Sequence, residues 1–314
     1  MFQGIKELRR APGRAALITV TIGLIAVLVS FLSALTAGLS HQSISALDYL
    51  SEDKQGLIVA DDGSTTLSAS RVSPSLAGEV GGTALYLVRD RVDNKPVVYL
   101  SDPALHGTEV KVNSTLSQDV QLRGQTLIVT GTQDLWLDHT PVVTASPALL
   151  ESMGEPPVAV LADSPVAPPP GTKMLTGKDI FKVSASYVGE NLSLTTMTTL
   201  LFAISALVVG AFFTVWTIQR LGSVAVSLAL GSARKVVLAD ALSQALIVLA
   251  VGIGAGTLLT ILVASFAPAA MPVELSWNTT ALPALILLAC GLVGAAFSLI
   301  PVMRVEPRSA LAQF

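Results

Sequence analysis

The sequence predicts an α-helical membrane protein with four transmembrane helices and a β-rich α+β extracellular domain inserted between helices 1 and 2. Three observations carry that expectation. Hydrophobic residues make up 51% of the 314-residue chain and charged residues only 13%, about half the charge of an ordinary globular domain. The apolar residues are gathered into long runs, and runs of about 18 or more with few charges read as membrane helices. The charge is also unevenly spread. Segment 40–191 holds 18 acidic and 10 basic residues, a balance of −8, whereas the rest holds 4 acidic and 9 basic residues, a balance of +5. Basic residues that flank apolar runs attract anionic lipid and set topology. No basic surface of the kind nucleic acid requires is visible.

Taken in order, residues 1–14 (MFQGIKELRRAPGR) place Phe2, Ile5 and Leu8 on one helical face, with Lys6, Arg9 and Arg10 on others. That pattern suits a cytoplasmic amphipathic segment lying at the interface or simply a basic flank, ended by Pro12. The first transmembrane helix is expected over 15–39. It is too long and too uniformly apolar for the core of a cleavable signal peptide, so it is read as an uncleaved anchor. The extracellular domain is expected over 40–191. It opens with a helical continuation, QSISALDYL (42–50), whose Ile44, Leu47 and Leu50 share a face. Short strand-like pieces follow at 56–60, 83–88, 96–100, 109–112, 125–131 and 141–145, separated by Gly, Asp, Asn and Pro. A short helix is expected over 148–154. The proline-rich stretch 155–171 reads as an extended edge or linker.

The remaining elements are a second transmembrane helix at 192–218, a cytoplasmic coupling segment at 219–235 and a third transmembrane helix at 236–267. An extracellular loop at 268–280, a fourth transmembrane helix at 281–303 and a cytoplasmic tail at 304–314 complete the chain. Gly252 and Gly256 form a GxxxG within the third helix, a spacing that lets helices approach closely. Lys and Arg near the spans number four at the N-terminus, three in 219–245, two in the tail and none in 268–280. The positive-inside rule then predicts a multi-pass plasma-membrane protein with both termini cytoplasmic.

The chemistry of soluble enzymes is missing. There is no GxxxxGK[ST] phosphate loop, no HExxH, no CxxC and no GxSxG. The histidines, His41, His106 and His139, are scattered along the chain, and the single cysteine, Cys290, lies in an apolar run. No enzyme activity, intrinsic cofactor or protein-built metal site is therefore expected. Asp240 is the one carboxylate within the third helix, with Gln244 a turn later. It reads either as a structural group pairing with Arg234 or Lys235 or as a group in a substrate or proton path. Near the outer boundary, His41 follows the first span, and Tyr187, Glu190 and Met197 precede or enter the second. These residue types can ligate haem iron; they equally suit interfacial anchoring and an ordinary polar loop.

Two cytoplasmic stretches carry a family resemblance. The connection RLGSVAVSLALGSARK (220–235) resembles the R…G.L.ALGAS pattern of permease subunits in the MacB/FtsX-type ABC transporter superfamily, without the acidic residue that often follows the arginine there. The tail, with Arg304, Glu306-Pro307 and Ala310-Leu311, is similar to theirs. Within that superfamily, GLSHQSISALDYL (38–50), LDHTPVVTAS (137–146) and VVLADALSQAL (236–246) look most like haem-exporter permeases and their DevC-like relatives. The resemblance implies a homodimer in membrane lipid, served by two copies of a cytoplasmic ABC ATPase that binds ATP and Mg. It implies haem as the exported substrate, with Tyr187, His41, Glu190 and Met197 as candidate ligands. It also implies ATPase coupling through Arg220, Gly222, Leu228, Gly231, Arg234 and Lys235. The alternatives are a mechanotransmitter regulating a cell-wall hydrolase, or an exporter of another amphiphile, lipid or peptide.

Overall fold

The computed structural model describes residues 12–63, 66–219, 233–266 and 271–299. Residues 1–11 of the expected amphipathic segment 1–14, most of the coupling segment and the motif-bearing tail lie outside the described residues. The chain divides into two compact units: a helical unit formed by residues 1–37 and 194–314, and a β-rich unit formed by residues 38–193. Helix α1 (Pro12–Ser51) serves both. Proline suits a first helical turn, where its missing N–H would have no intrahelical partner. At 40 residues the helix is about 60 Å long, twice the hydrocarbon thickness of a bilayer.

The helical unit contains the first part of α1 and most of α4 (Ala185–Gln219). It also contains α5 (Arg234–Ser265) and α6 (Trp277–Ser298). All four helices are long and apolar enough to cross a membrane. Their facing sides form a core of Ile18, Ile22 and Ala26 from α1, Val209 and Phe213 from α4, Val248, Leu249 and Ile253 from α5, and Leu287 and Ala295 from α6. The opposite faces are apolar too: Leu17, Leu24, Leu207, Leu258 and Phe297 are each more than half exposed. Helices hydrophobic on every side belong in hydrocarbon. Helix α6 starts at Trp277, four residues before the expected 281. Ser276 caps it and Thr279 closes a capping box, its hydroxyl accepting from the Ser276 N–H at 2.8 Å.

Small residues set the helix spacing. The GxxxG of α5 is used within this chain. A Cβ on Gly252 would lie 2.9 Å from the Thr19 carbonyl of α1, and one on Gly256 would strike the Gly23 carbonyl and stand 2.7 Å from Ala26 Cβ. A Cβ on Gly294 of α6 would come 2.9 Å from the Ala206 carbonyl and 3.2 Å from Gly210 Cα of α4. Dispersion between close backbones replaces the hydrophobic drive that lipid cannot supply.

The β-rich unit is built on two sheets. One runs β12-β1-β11-β2, all antiparallel, from β1 (Gly56–Ala60), β2 (Gly82–Leu85), β11 (Ala159–Ala162) and β12 (Thr172–Leu175). The other runs β3-β4-β10-β5-β8, from β3 (Leu87–Val92), β4 (Lys95–Ser101), β5 (Glu109–Asn113), β8 (Ile128–Gln133) and β10 (Thr140–Ala145). Its β4/β10 and β5/β8 pairs are parallel. The short β6 (Gln121–Leu122) and β7 (Gln125–Thr126) pair with each other, and β9 (Trp136–Leu137) pairs with β10. Strand alternation divides the side chains among three cores. Leu57, Val59, Leu161, Val98, Leu100 and Val142 meet between the sheets, joined by Ala46, Leu47 and Leu50 of α1. Ile58 and Val160 pack beneath α2 (Leu76–Val80), whereas Val97, Tyr99 and Val143 pack beneath α3 (Pro147–Glu151).

Three local readings change. The proline-rich stretch 155–171 is not an edge or linker, because it carries β11, an interior strand whose four residues are all buried. Prolines flank this strand without entering it, so every N–H can join the ladder. The piece 83–88 is two strands in two sheets, with the chain changing sheet at Tyr86, whose N–H donates to Ser101 Oγ at 2.9 Å. On α1, Ile44 is only half-buried, and Ser43 and Ala46 turn inward with Leu47 and Leu50.

Tyr99 is fully buried, and its hydroxyl donates to the Gln121 carbonyl at 3.2 Å. Burial, and secondarily the charge of Asp90, raises its pKa well above the usual 10.0. Burial, and secondarily the charge of Glu151, raises that of Tyr86 in the same sense. A proton held more tightly in the fold than in the unfolded chain stabilises fully below the unfolded value and is lost above it. Thermal unfolding of the detergent-solubilised chain should therefore show stability falling as pH rises through about 10. Tyr99→Phe should cost about 1 kcal/mol at neutral pH and flatten the alkaline decline; an unchanged slope would count against Tyr99 as its source.

Candidate functional site

The C-terminal part of α1, the turn between β9 and β10, and the beginning of α4 come together within the β-rich unit. The turn is Asp138–His139, and both residues have positive φ (48° and 59°). Two consecutive left-handed residues are what a tight two-residue hairpin requires, and Asp and His tolerate that region better than most side chains. The Asp138 and His139 N–H groups donate to the carbonyls of Ser43 (3.1 Å) and Gln42 (2.9 Å) on α1. Toward α4, Asp138 Oδ1 accepts from Ser184 Oγ at 2.7 Å, Ser186 Oγ at 2.9 Å and the Ser186 N–H at 3.2 Å. A carboxylate there satisfies a free N–H and faces the positive end of the helix dipole.

His139 and Glu190 form the centre of the cluster. Nε2 of the imidazole lies 2.8 Å from Glu190 Oε1, and Nδ1 lies 3.4 Å from Gln42 Oε1. Glu190 Oε2 is buried with no hydrogen-bond partner among the described residues. Tyr187 stands nearby on the first turn of α4. Its N–H donates to Ser184 Oγ at 3.2 Å, and its ring meets Phe181 edge-on at 5.8 Å and 68°.

Of the four candidate ligands, Tyr187, Glu190 and His41 belong to the β-rich unit. His41 does not join Glu190. Its Nε2 lies 3.2 Å from Asp134 Oδ2 at an exposed position, and Asp134 Oδ1 accepts from Trp136 Nε1 at 2.7 Å. Met197 lies on the part of α4 that belongs to the helical unit and is 58% exposed. His139 was absent from the expected set, although the Asp-His pair between two strand-like pieces is itself a turn signal. Of the coupling candidates, Arg220, Gly222, Leu228 and Gly231 lie outside the described residues; Arg234 opens α5 and Lys235 is exposed.

Within the helical unit, Asp240 Oδ2 accepts from Gln244 Nε2 at 2.9 Å, and Gln244 is almost fully buried. Both line a cavity with Phe213, Trp216, Thr217 and Ser298. Thr217 and Ser298 place their hydroxyls 3.4 Å apart there.

Four apolar helices of spanning length with a β-rich domain inserted after the first define a multi-span membrane protein. Known proteins of the same design match along nearly the whole chain. The chain is 25% identical, over 345 aligned positions, to the hemin transport system permease protein HrtB of Staphylococcus haemolyticus, covering 98% of this chain and 97% of that one. Two HrtB proteins of Staphylococcus epidermidis strains are each 22% identical with the same coverage. No family model matches the chain. The likeness to haem-transport permeases, read from stretches 38–50, 137–146 and 236–246, is met again in relatives that match along nearly the whole chain.

Proposed function

We propose that this chain is the membrane subunit of an ATP-driven exporter that expels haem from the membrane. The observation that carries the reading is the likeness to hemin transport permeases, which runs over 98% of this chain and 97% of the relative. Lys and Arg placement supports a plasma-membrane orientation with both termini and the 219–235 segment inside. The absence of a phosphate-binding loop in the sequence assigns ATP and Mg to a separate ABC ATPase, two copies of which serve a homodimer of this chain. ATPase closure pushes the coupling segment, the membrane helices tilt, and the movement reaches the β-rich domain. Haem is an amphiphile that partitions into lipid, so lateral entry and outward expulsion suit it.

Glu190, whose Oε2 is buried without a hydrogen-bond partner among the described residues, and Tyr187, three residues before it on α4, are the groups proposed to meet haem iron once this site opens. Titration of haem into the purified dimer should shift the Soret band. Glu190→Gln and Tyr187→Phe should each weaken binding at least about tenfold, or roughly 1.4 kcal/mol. His41→Ala should weaken it less, since that ring is engaged by Asp134. No spectral change in the unaltered protein, together with co-purification of a cell-wall hydrolase, would overturn the haem reading in favour of a mechanotransmitter.

A further inference from the structure

We infer that the Asp138–His139 turn is a strap that binds the C-terminal segment of α1 to the first turns of α4 and positions Glu190 for its ligand. The inference rests on the proposed haem-export reading for the ligand, but not for the strap itself. The turn lies in the left-handed region at two successive residues that both carry a Cβ, where Asn-Gly or Gly-Gly would be the less strained choice. Strain of this kind persists where surrounding contacts over-determine it. Here each residue is held in both directions. Its N–H reaches α1, at Ser43 for Asp138 and at Gln42 for His139. Its side chain reaches α4, with Asp138 on Ser184 and Ser186 and His139 on Glu190.

Ser186 and Glu190 are one helical turn apart on α4, so the two strap side chains grip one face. The α4 start cannot slide along α1 or rotate without giving up the Asp138 cap and the His139 bond together. Whatever displacement enters through either helix therefore arrives in the β-rich unit as movement of one body. Asp138 and His139 are positioning residues: they act on the ligand through Glu190, whose Oε1 is engaged by His139 while its buried Oε2 is left without a hydrogen-bond partner among the described residues.

The test is the double substitution Asp138→Gly/His139→Gly, which keeps a turn able to hold both positive φ values and both backbone N–H donors, and removes only the side chains. Spin labels on Cys introduced at the exposed positions Asp48 and Val188, in a Cys290→Ala background, report the α1 to α4 distance in the full chain. The distribution should be narrow with the native turn and at least about twofold broader in the double variant. Asp138→Asn alone, which keeps an accepting oxygen, should remain narrow. An unchanged width in the double variant overturns the strap. For positioning, the double variant should bind haem at least about tenfold more weakly, with an altered axial-ligand band. An unchanged band and affinity in the folded fraction would overturn that part and leave the turn merely structural. Failure of the unaltered chain to bind haem would sink the export reading and the positioning role that rests on it, while the distance measurement still decides the strap.

Discussion

Gly256→Leu is expected to prevent the helical unit from closing, whereas Gly254→Leu, two residues away in the same helix, is expected to be nearly neutral. The difference is geometric. Gly256 faces the Gly23 carbonyl and Ala26 of α1, so a side chain there meets backbone that cannot swing aside. Gly254 has nothing within 4 Å of an added Cβ. Overpacking in a well-filled core costs about 1–3 kcal/mol, and a leucine lodged against backbone should reach or exceed the upper end. Forcing α1 from α5 would also break the neighbouring contacts of Gly252 with Thr19 and Ile22. Thermal unfolding and size-exclusion behaviour in detergent would show the effect as a fall in Tm with aggregation for Gly256→Leu, against a change within about 0.5 kcal/mol for Gly254→Leu. Equal stability of the two would mean that α1 and α5 do not meet through this face.

The second large effect concerns the proposed coupling segment. Leu228→Glu or Gly231→Trp should leave membrane insertion and basal ATP hydrolysis by the partner intact while export falls at least about tenfold. A buried contact between two chains tolerates neither an unpaired charge nor added bulk, and mechanical coupling requires that the contact be rigid. ATPase rate and haem efflux measured together in reconstituted vesicles would separate loss of coupling from loss of assembly. Normal efflux in both variants would remove 219–235 from the coupling role.

The β-rich unit shows where local pattern is sufficient and where it misleads. The strand Gly56–Ala60 is legible as GLIVA because a short uninterrupted apolar run between turn residues has few other uses. Ala159–Ala162 has the same apolar character, yet the surrounding prolines hide it, and its place between β1 and β2 comes from pairing rather than composition. The candidate site divides in the same way. Tyr187 and Glu190 stand out as polar groups at the start of a spanning helix. Their partners do not, because His139 is 51 residues from Glu190 in sequence and Asp134 is 93 residues from His41. No periodicity links residues so far apart.

The sequence by itself determined the class of this protein: four apolar helices, a domain inserted after the first, and a likeness to hemin transport permeases along nearly the whole length. Those are one-dimensional properties, since burying about 20 apolar residues in lipid needs no particular neighbour. Only the tertiary structure decided that the GxxxG serves α1 within the same chain, that the proline-rich stretch holds an interior strand, and that His139 rather than His41 engages Glu190. Each depends on which surfaces meet, and that choice is made by shape and hydrogen-bond satisfaction between distant segments.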